Sequence, residues 1–263
     1  MQLNNARILL TGASGGLGQE LARQLATAGA SLLLAGRDDA RLAKLTDALG
    51  GDCRYVRADL NHSEGIADAA GAAREFEVNV LINNAGIGSF GLYAEQPWPS
   101  VEQVLATNLE APMRLTHALL PWLQARPLAA IVNIGSTFGS LPFPGFAAYS
   151  AAKAGLRGFS QALRRELSDS QVAVIHLAPR AIDTPLNDEA VNALNHALKN
   201  HSDSPATVAR QIVAALAHGR SERHFGFPER LFAWINGVAP ALIDHALASK
   251  LPLVRQFAAS RQS

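Results

Sequence analysis

The sequence predicts an α/β fold: a doubly wound parallel sheet of about seven strands with helices on both faces. Three observations carry it. Strand-like runs recur at 7–11, 31–35, 53–57, 79–83, 129–135, 172–178 and 222–226. They read as apolar runs rather than alternating ones, the pattern of parallel strands covered on both faces. Helical periodicity fills most of the gaps, so strand and helix alternate and right-handed crossovers follow. The third observation is a glycine-rich turn, Thr11-Gly12-Ala13-Ser14-Gly15-Gly16-Leu17-Gly18, directly after Ile8-Leu9-Leu10.

Each element has a local reason. Leu21, Ala22, Leu25 and Ala26 are spaced for one helix face after the glycine turn, which makes that turn a strand-to-helix connection. Glycine there lets backbone approach a pyrophosphate, and the helix N-terminus supplies free N–H groups and partial positive charge, so a nucleotide is expected at this turn. Asp38 and Asp39 follow the second strand as helix caps. Asn83-Asn84-Ala85-Gly86 closes the fourth strand, Ile134-Gly135-Ser136-Thr137 the fifth, and Pro179 follows the sixth. In such a sheet the ligand lies beyond the C-terminal strand ends, where all of these fall.

Composition bounds the function. The chain has 263 residues, 48% of them hydrophobic and 17% charged, with no run long enough to span a bilayer. Alternating elements without a linker favour one catalytic and nucleotide-binding domain over 1–227, with 228–263 as an apolar helical extension of it. A net charge of +1 gives no reason to expect nucleic acid or an acidic surface as partner. Cys53 is the single cysteine and reads as packing in a reducing compartment. The start, Met1 to Arg7, leads straight into the first strand with no signal-peptide pattern, so a cytoplasmic location is expected. Of the eight histidines, His196 and His201 lie close together but lack acidic or cysteine company, and no metal site is expected.

Tyr149-Ser150-Ala151-Ala152-Lys153 places a phenol and an ammonium four residues apart, on one helix face. A cation beside a phenol favours phenolate and lowers its pKa, giving a group able to act as general acid or base.

Taken together, Thr-Gly-x-x-x-Gly-x-Gly at 11–18, Asn83-Asn84-Ala85-Gly86, Asn108, Ser136 and Tyr149-x-x-x-Lys153 resemble the short-chain dehydrogenase/reductase family, in its order and spacing, from residue 7 to about 185. The resemblance implies a Rossmann-type domain that binds a nicotinamide cofactor and moves hydride to or from a carbonyl or alcohol carbon. Tyr149 would then protonate the carbonyl oxygen or take the alcohol proton, and Ser136 would hold that oxygen. Lys153 would lower the tyrosine pKa and bond the nicotinamide ribose, while Asn108 would hold a water joining the lysine to solvent. Gly12, Ser14, Gly15, Gly16, Leu17 and Gly18 would line the pyrophosphate and ribose, with Asp59 and Leu60 near the adenine. Asn83, Ala85 and Gly86 would line the cleft, and Pro179, Ile182 and Thr184 its nicotinamide end. Asp59 reads equally as a cap of the helix that follows it.

Cofactor choice rests on Ala35-Gly36-Arg37. The carboxylate that holds a ribose 2′-OH is absent, and Arg37 offers a planar donor fork suited to a 2′-phosphate, which favours NADP(H) over NAD(H). The alternative is a surface arginine, with Asp38 or Asp39 reaching the ribose. One departure from the family stands at Pro179-Arg180, where Pro-Gly is common. Arg180 faces either the ligand or solvent.

The loops around the expected carbonyl site are apolar: Phe138, Leu141, Phe143 and Phe146 after the fifth strand, and Phe90, Leu92 and Tyr93 after the fourth. Leu186, Ala190, Leu194 and Leu198 repeat at helical spacing like a small lid. A hydrophobic ketone, aldehyde or 3-oxoacyl compound is the expected substrate, with a coenzyme A or carrier-protein handle outside the pocket equally compatible. The tail, divided by Pro240 and Pro252, carries apolar positions from Leu231 to Phe257 at helical spacing, with Arg230, Lys250, Arg255 and Arg261 supplying charge. It reads as a cover on the cleft, a subunit contact, a membrane-surface element or ordinary packing. The resemblance implies a homodimer or homotetramer. The competing functional readings are an NAD-dependent alcohol dehydrogenase, a cofactor-sensing regulatory protein on the same fold, and a purely structural scaffold.

Overall fold

The structure, a computed structural model, describes residues 2–219 and 221–259; Arg261 lies outside the described residues. Seven parallel strands form one sheet: β1 Arg7–Thr11, β2 Ser31–Gly36, β3 Cys53–Arg57, β4 Val80–Asn83, β5 Ala129–Ile134, β6 Val172–Ala178 and β7 Glu222–His224. Their order is β3-β2-β1-β4-β5-β6-β7, so the winding reverses between β1 and β4. The crevice at that reversal is where such a sheet takes its ligand.

Strand alternation sends successive side chains to opposite layers. From β1, Ile8 and Leu10 join the layer built with helix α1 (Gly16–Thr27), helix α2 (Asp39–Leu49) and Pro205–Ala217, whereas Leu9 joins the opposite layer. That second layer holds helix α3 (Ser63–Glu75), helix α5 (Ala111–Gln124) and the far end of helix α6 (Ala147–Glu166), through Ala69, Leu115, Leu119 and Leu163. Ile82, Val132 and Leu177 are fully buried, each contributing about 1.5–3 kcal/mol.

The apolar-run expectation fails at β3. It is an edge strand in which Arg54, Tyr55 and Arg57 are exposed. An outer strand has one hydrogen-bonding edge free, and charged side chains there discourage pairing with another chain. Cys53 is half-buried and its thiol is pushed up by burial, consistent with packing.

A row of polar side chains runs from the end of β4 across β5 and β6 to the edge strand β7. Asn83 faces Asn133, which faces His176, which faces Glu222, on neighbouring strands. Asn83 Nδ2 donates to Asn133 Oδ1 at 2.8 Å, and Asn133 Nδ2 donates to Ser160 Oγ at 2.9 Å. Ser160 Oγ lies 3.4 Å from His176 Nδ1. Burial pushes the His176 pKa down to about 3, so the ring is neutral.

Between α3 and α5, helix α4 (Trp98–Leu105) runs into α5 through one wider turn, Ala106–Glu110, with Asn108 at its centre. Helix α7 (Glu189–Ala197), helix α8 (Pro205–Ala217) and the tail helices α9 (Glu229–Val238), α10 (Pro240–Ala248) and α11 (Leu251–Ala259) complete the chain. Asp188 and Ser204 cap α7 and α8 by accepting from Val191 N and Thr207 N.

Candidate active site

The glycine turn is held against the end of β4. Gly12 has φ +63°, and a Cβ on it would lie 2.7 Å from Ala85 Cα. A Cβ on Gly18 would lie 2.1 Å from the Gly12 carbonyl oxygen. Both positions therefore exclude any side chain, and the backbone of the turn closes into a cradle. Thr11 Oγ1 accepts from the N–H groups of Asn84 and Ala85, each at 3.0 Å, while Asn84 Nδ2 donates to Thr11 O at 3.0 Å. Gly15 stands at the N-terminus of α1 with no side-chain cap, which leaves N–H groups for an anion. The Thr184 methyl sits 3.1 Å from where a Gly16 Cβ would be, so the segment after β6 overhangs the same turn. These residues fit a dinucleotide pyrophosphate.

At the end of β2, the Ser14 hydroxyl lies 3.3 Å from a Cβ placed on Gly36. Gly36 pairs in register with Arg57, so Arg37 and Arg57 leave adjacent strand ends. Both are exposed and neither forms an ion pair among the described residues. Asp38 is committed elsewhere: it caps α2 by accepting from Arg41 N at 3.0 Å and pairs with the Arg41 guanidinium. Asp59 Oδ1 accepts from Asn61 N, while His62 takes the cap position of α3, so the reading of Asp59 as that helix's cap is corrected. Leu60 packs against the core beside α3 and α5.

Ser136, Tyr149 and Lys153 converge at the end of β5. Ser136 opens a short turn, Thr137–Gly139, with its Oγ accepting from Phe138 N at 3.2 Å, and it also hydrogen-bonds the Tyr149 phenol. Lys153, buried, donates from Nζ to Ile134 O at 3.0 Å. Gly86 lies against both Asn108 and Lys153, because a Cβ on it would meet Asn108 Oδ1 at 2.8 Å and Lys153 Nζ at 3.6 Å. The Asn108 side chain clamps Ile87, accepting from its N–H at 2.9 Å and donating to its carbonyl at 2.8 Å. The wider turn shifts the hydrogen-bond ladder at this point, as is common where a helix serves a site.

The electrostatics differ from the sequence expectation. Burial pushes the Tyr149 hydroxyl up from its ordinary range, and the Ser136 hydrogen bond pulls it partly back. Lys153 does not lower it. Its ammonium is turned to Ile134 O, 5.9 Å from the Tyr149 ring centroid, and is itself lowered to about 8 by burial. The phenol is therefore held protonated, and the lysine proton is labile near neutral pH.

A family model described as short chain dehydrogenase matches residues 6–195. The cattle protein named dehydrogenase/reductase SDR family member 7B is 32% identical over 267 residues, covering 94% of this chain and 82% of that protein. A short-chain dehydrogenase/reductase from Burkholderia phymatum, solved in complex with NAD, superposes with a TM-score of 0.83 at 24% identity, covering 92% of this chain and 96% of that one. The closed form of a serine dehydrogenase complexed with NADP+ gives a TM-score of 0.75 at 26% identity, covering 83% and 93%. The chain belongs to the short-chain dehydrogenase family. It is an NAD(P)-dependent oxidoreductase acting on CH–OH or C=O groups.

This dehydrogenase departs from the family at Arg180, and the structure gives the reason. Arg180 is turned onto two acids: Nε and Nη2 bond both Asp203 carboxylate oxygens at 2.9 and 2.8 Å, and Nη1 reaches Glu229 Oε1 at 3.5 Å. The guanidinium and both acids are mostly buried. The bidentate fork ties the segment after β6 to the start of α8 and to tail helix α9. Arg180→Ala strands two acids. The expected result is a loss of about 2–4 kcal/mol in stability by chemical denaturation, with Arg180→Lys recovering only part of it.

The wall over Tyr149 in this dehydrogenase is aromatic. Phe138 stacks on Phe143 with centroids 5.7 Å apart and meets the Tyr149 ring edge-on at 6.3 Å, while Phe90 and Phe146 lie 5.0 Å apart. Val191 and Leu194 of α7 and Val254 and Ala258 of α11 close over this group. Tyr93 and Leu186, expected in the wall, are exposed instead. Leu186 precedes α7 rather than belonging to it. Among the described residues no three His, Cys, Asp or Glu side chains are grouped as metal ligands, and no helix is long and apolar enough to cross a membrane.

Proposed function

We propose that the enzyme transfers hydride between NADP(H) and the carbonyl or secondary alcohol of a hydrophobic substrate, with Tyr149 as the proton donor and acceptor. The observation that carries this reading is the Ser136–Tyr149–Lys153 group set beneath the phenylalanine wall. The nicotinamide, when bound, supplies or accepts the hydride. The chain's own residues handle the proton. In reduction the Tyr149 hydroxyl donates to the carbonyl oxygen, which Ser136 Oγ orients, and the Lys153 ammonium then reprotonates the phenolate. With a pKa near 8, Lys153 gives up and recovers that proton at neutral pH. Gly12, Gly15, Gly16, Leu17 and Gly18 hold the pyrophosphate together with Thr184, and Ala85, Gly86, Pro179 and Ile182 line the cleft toward the nicotinamide. Asp59 and Leu60 flank the adenine end. Asn108, with its side chain spent on Ile87, acts by holding Gly86 beside Lys153 and leaves any bridging water to backbone carbonyls.

Support for the 2′-phosphate comes from Arg37 and Arg57 at the ends of β2 and β3, with Ser14 against Gly36 and the Asp38 carboxylate engaged by Arg41. Arg37→Ala is expected to weaken NADPH binding by about 1.5–3 kcal/mol, the range for a charge-assisted hydrogen bond, and to leave NADH nearly unchanged. Arg57→Ala shifts the same preference by a smaller step. Fluorescence titration of both cofactors measures it, and equal affinities in the unmodified enzyme reject the assignment. A panel of aldehydes, ketones and 3-oxoacyl thioesters, followed by NADPH and NADH loss in parallel, tests the substrate class. A homo-oligomer is expected in solution; exposed Met113 on α5, beside Leu109 and Ala118, supports pairing through that helix.

A further inference from the structure

The tail hairpin turns its apolar side outward. Leu231, Trp234 and Val238 fall at i, i+3 and i+7 of α9, one helical stripe, and that stripe faces solvent instead of the core. Phe227 before α9, Phe232 on another side of it and Leu242 on α10 are exposed nearby along the chain, and these six side chains are between 42% and 71% exposed. They are half of the large apolar side chains exposed among the described residues, concentrated in 227–242. Such a patch marks an interaction surface.

The opposite side of α9 is firmly held. Glu229 is drawn inward to Arg180, and Asn236 Nδ2 donates at 3.0 Å to Ser140 O, in the loop that begins with Ser136. The stripe is therefore presented on a helix fixed to the catalytic loop. Among the described residues the exposed charges on and after it are mostly basic: Arg230 lies one turn from Trp234, and Lys250 and Arg255 follow, against the single exposed acid Asp244. Tryptophan and phenylalanine with aliphatic neighbours and a cationic margin match the headgroup boundary of an anionic bilayer, and no described helix is long and apolar enough to cross it.

We propose that the α9–α10 hairpin docks this enzyme on the surface of an anionic lipid bilayer, with Leu231, Trp234, Val238 and Leu242 in the acyl boundary and Arg230 and Lys250 at the headgroups. The neighbouring helix α11 closes the aromatic wall through Val254, so docking sets that wall beside the membrane.

Vesicle flotation of the full chain tests this without reference to turnover. The intact protein is expected to float with phosphatidylcholine–phosphatidylserine vesicles and less with phosphatidylcholine alone. Leu231→Ser with Trp234→Ser and Val238→Ser lowers partitioning by tenfold or more, on the order expected for losing half the burial of one large apolar side chain. Arg230→Glu, which leaves the stripe intact and serves if the triple variant unfolds, lowers flotation with the anionic vesicles only. Failure of the intact protein to float with anionic vesicles overturns the proposal. So does a stripe that closes a dimer, seen by light scattering as a larger intact mass that the triple variant halves without any flotation. Equal flotation of the intact protein and Arg230→Glu with both vesicle types removes the electrostatic part of the proposal and with it the choice of an anionic surface.

Discussion

Tyr149→Phe is expected to lower the chemical step by a hundredfold or more while cofactor binding persists. The phenyl ring keeps its edge-on contact with Phe138 and its place in the aromatic wall, so only the hydroxyl and its bond to Ser136 disappear. Ser136 remains fixed by Phe138 N, and Lys153 by Ile134 O. The variant should therefore fold, titrate with cofactor and fail at proton transfer. Single-turnover hydride transfer and equilibrium cofactor titration separate the two. The raised Tyr149 pKa sets the pH dependence: the protonated phenol needed for reduction is present through neutral pH, whereas the phenolate needed for oxidation accumulates only as pH rises toward that pKa. Oxidation should climb with pH across the alkaline range and reduction should not. Near-native turnover in Tyr149→Phe on a verified substrate would remove Tyr149 from the role proposed for it.

Gly18→Ala is expected to damage folding and cofactor binding together. Its methyl would sit 2.1 Å from the Gly12 carbonyl oxygen and 2.9 Å from Ala13 Cα, and both are backbone atoms with no rotamer to yield. Relief requires moving the start of α1 from the turn. Stability should fall by about 1–3 kcal/mol, as for other overpacked sites, and cofactor affinity by at least about tenfold, because the displaced backbone is the pyrophosphate cradle. Thermal melts with and without cofactor measure both. A melt raised by cofactor as much as in the parent enzyme would mean the turn does not touch it. Gly15→Ala, whose Cβ meets Gly12 O at an ordinary 3.4 Å, is the matched control for the stability loss measured without cofactor.

Much of this was legible in the sequence because strand and turn signals are local. The expected strands differ from the observed ones by at most two residues at an end, and Tyr149, Lys153 and Ser136 meet where their order along the chain implied. What escaped depends on distant partners. Arg180 finds Asp203 and Glu229, far along the chain, and no local pattern announces them. Arg57 gains meaning only from its register with Gly36, across one crossover. The Tyr149 pKa went the other way from the expectation because helical spacing fixes a shared face, not where the Lys153 ammonium points or how deeply both groups are buried. The exposure of β3 follows from its place at the sheet edge, which topology decides and composition does not.

The polar row Asn83–Asn133–His176 has a consequence for how the sheet assembles. The central strands read Leu81-Ile82, Ile131-Val132 and Val174-Ile175, apolar on both faces, so slipping one strand past its neighbour by a residue or two costs little in greasy contact. Asparagine has no such tolerance. In the native alignment Asn83 and Asn133 satisfy one another and reach Thr116 and Ser160 on the flanking helices, whereas any slipped pairing buries an amide against leucine or valine at a cost of about 1–3 kcal/mol each. The row acts as a ratchet pin through three strands: it adds modestly to the depth of the native state and heavily to the height of its competitors. That pin fixes the ends of β4 and β5, and so decides whether Gly86 and Ser136 arrive at the same Tyr149.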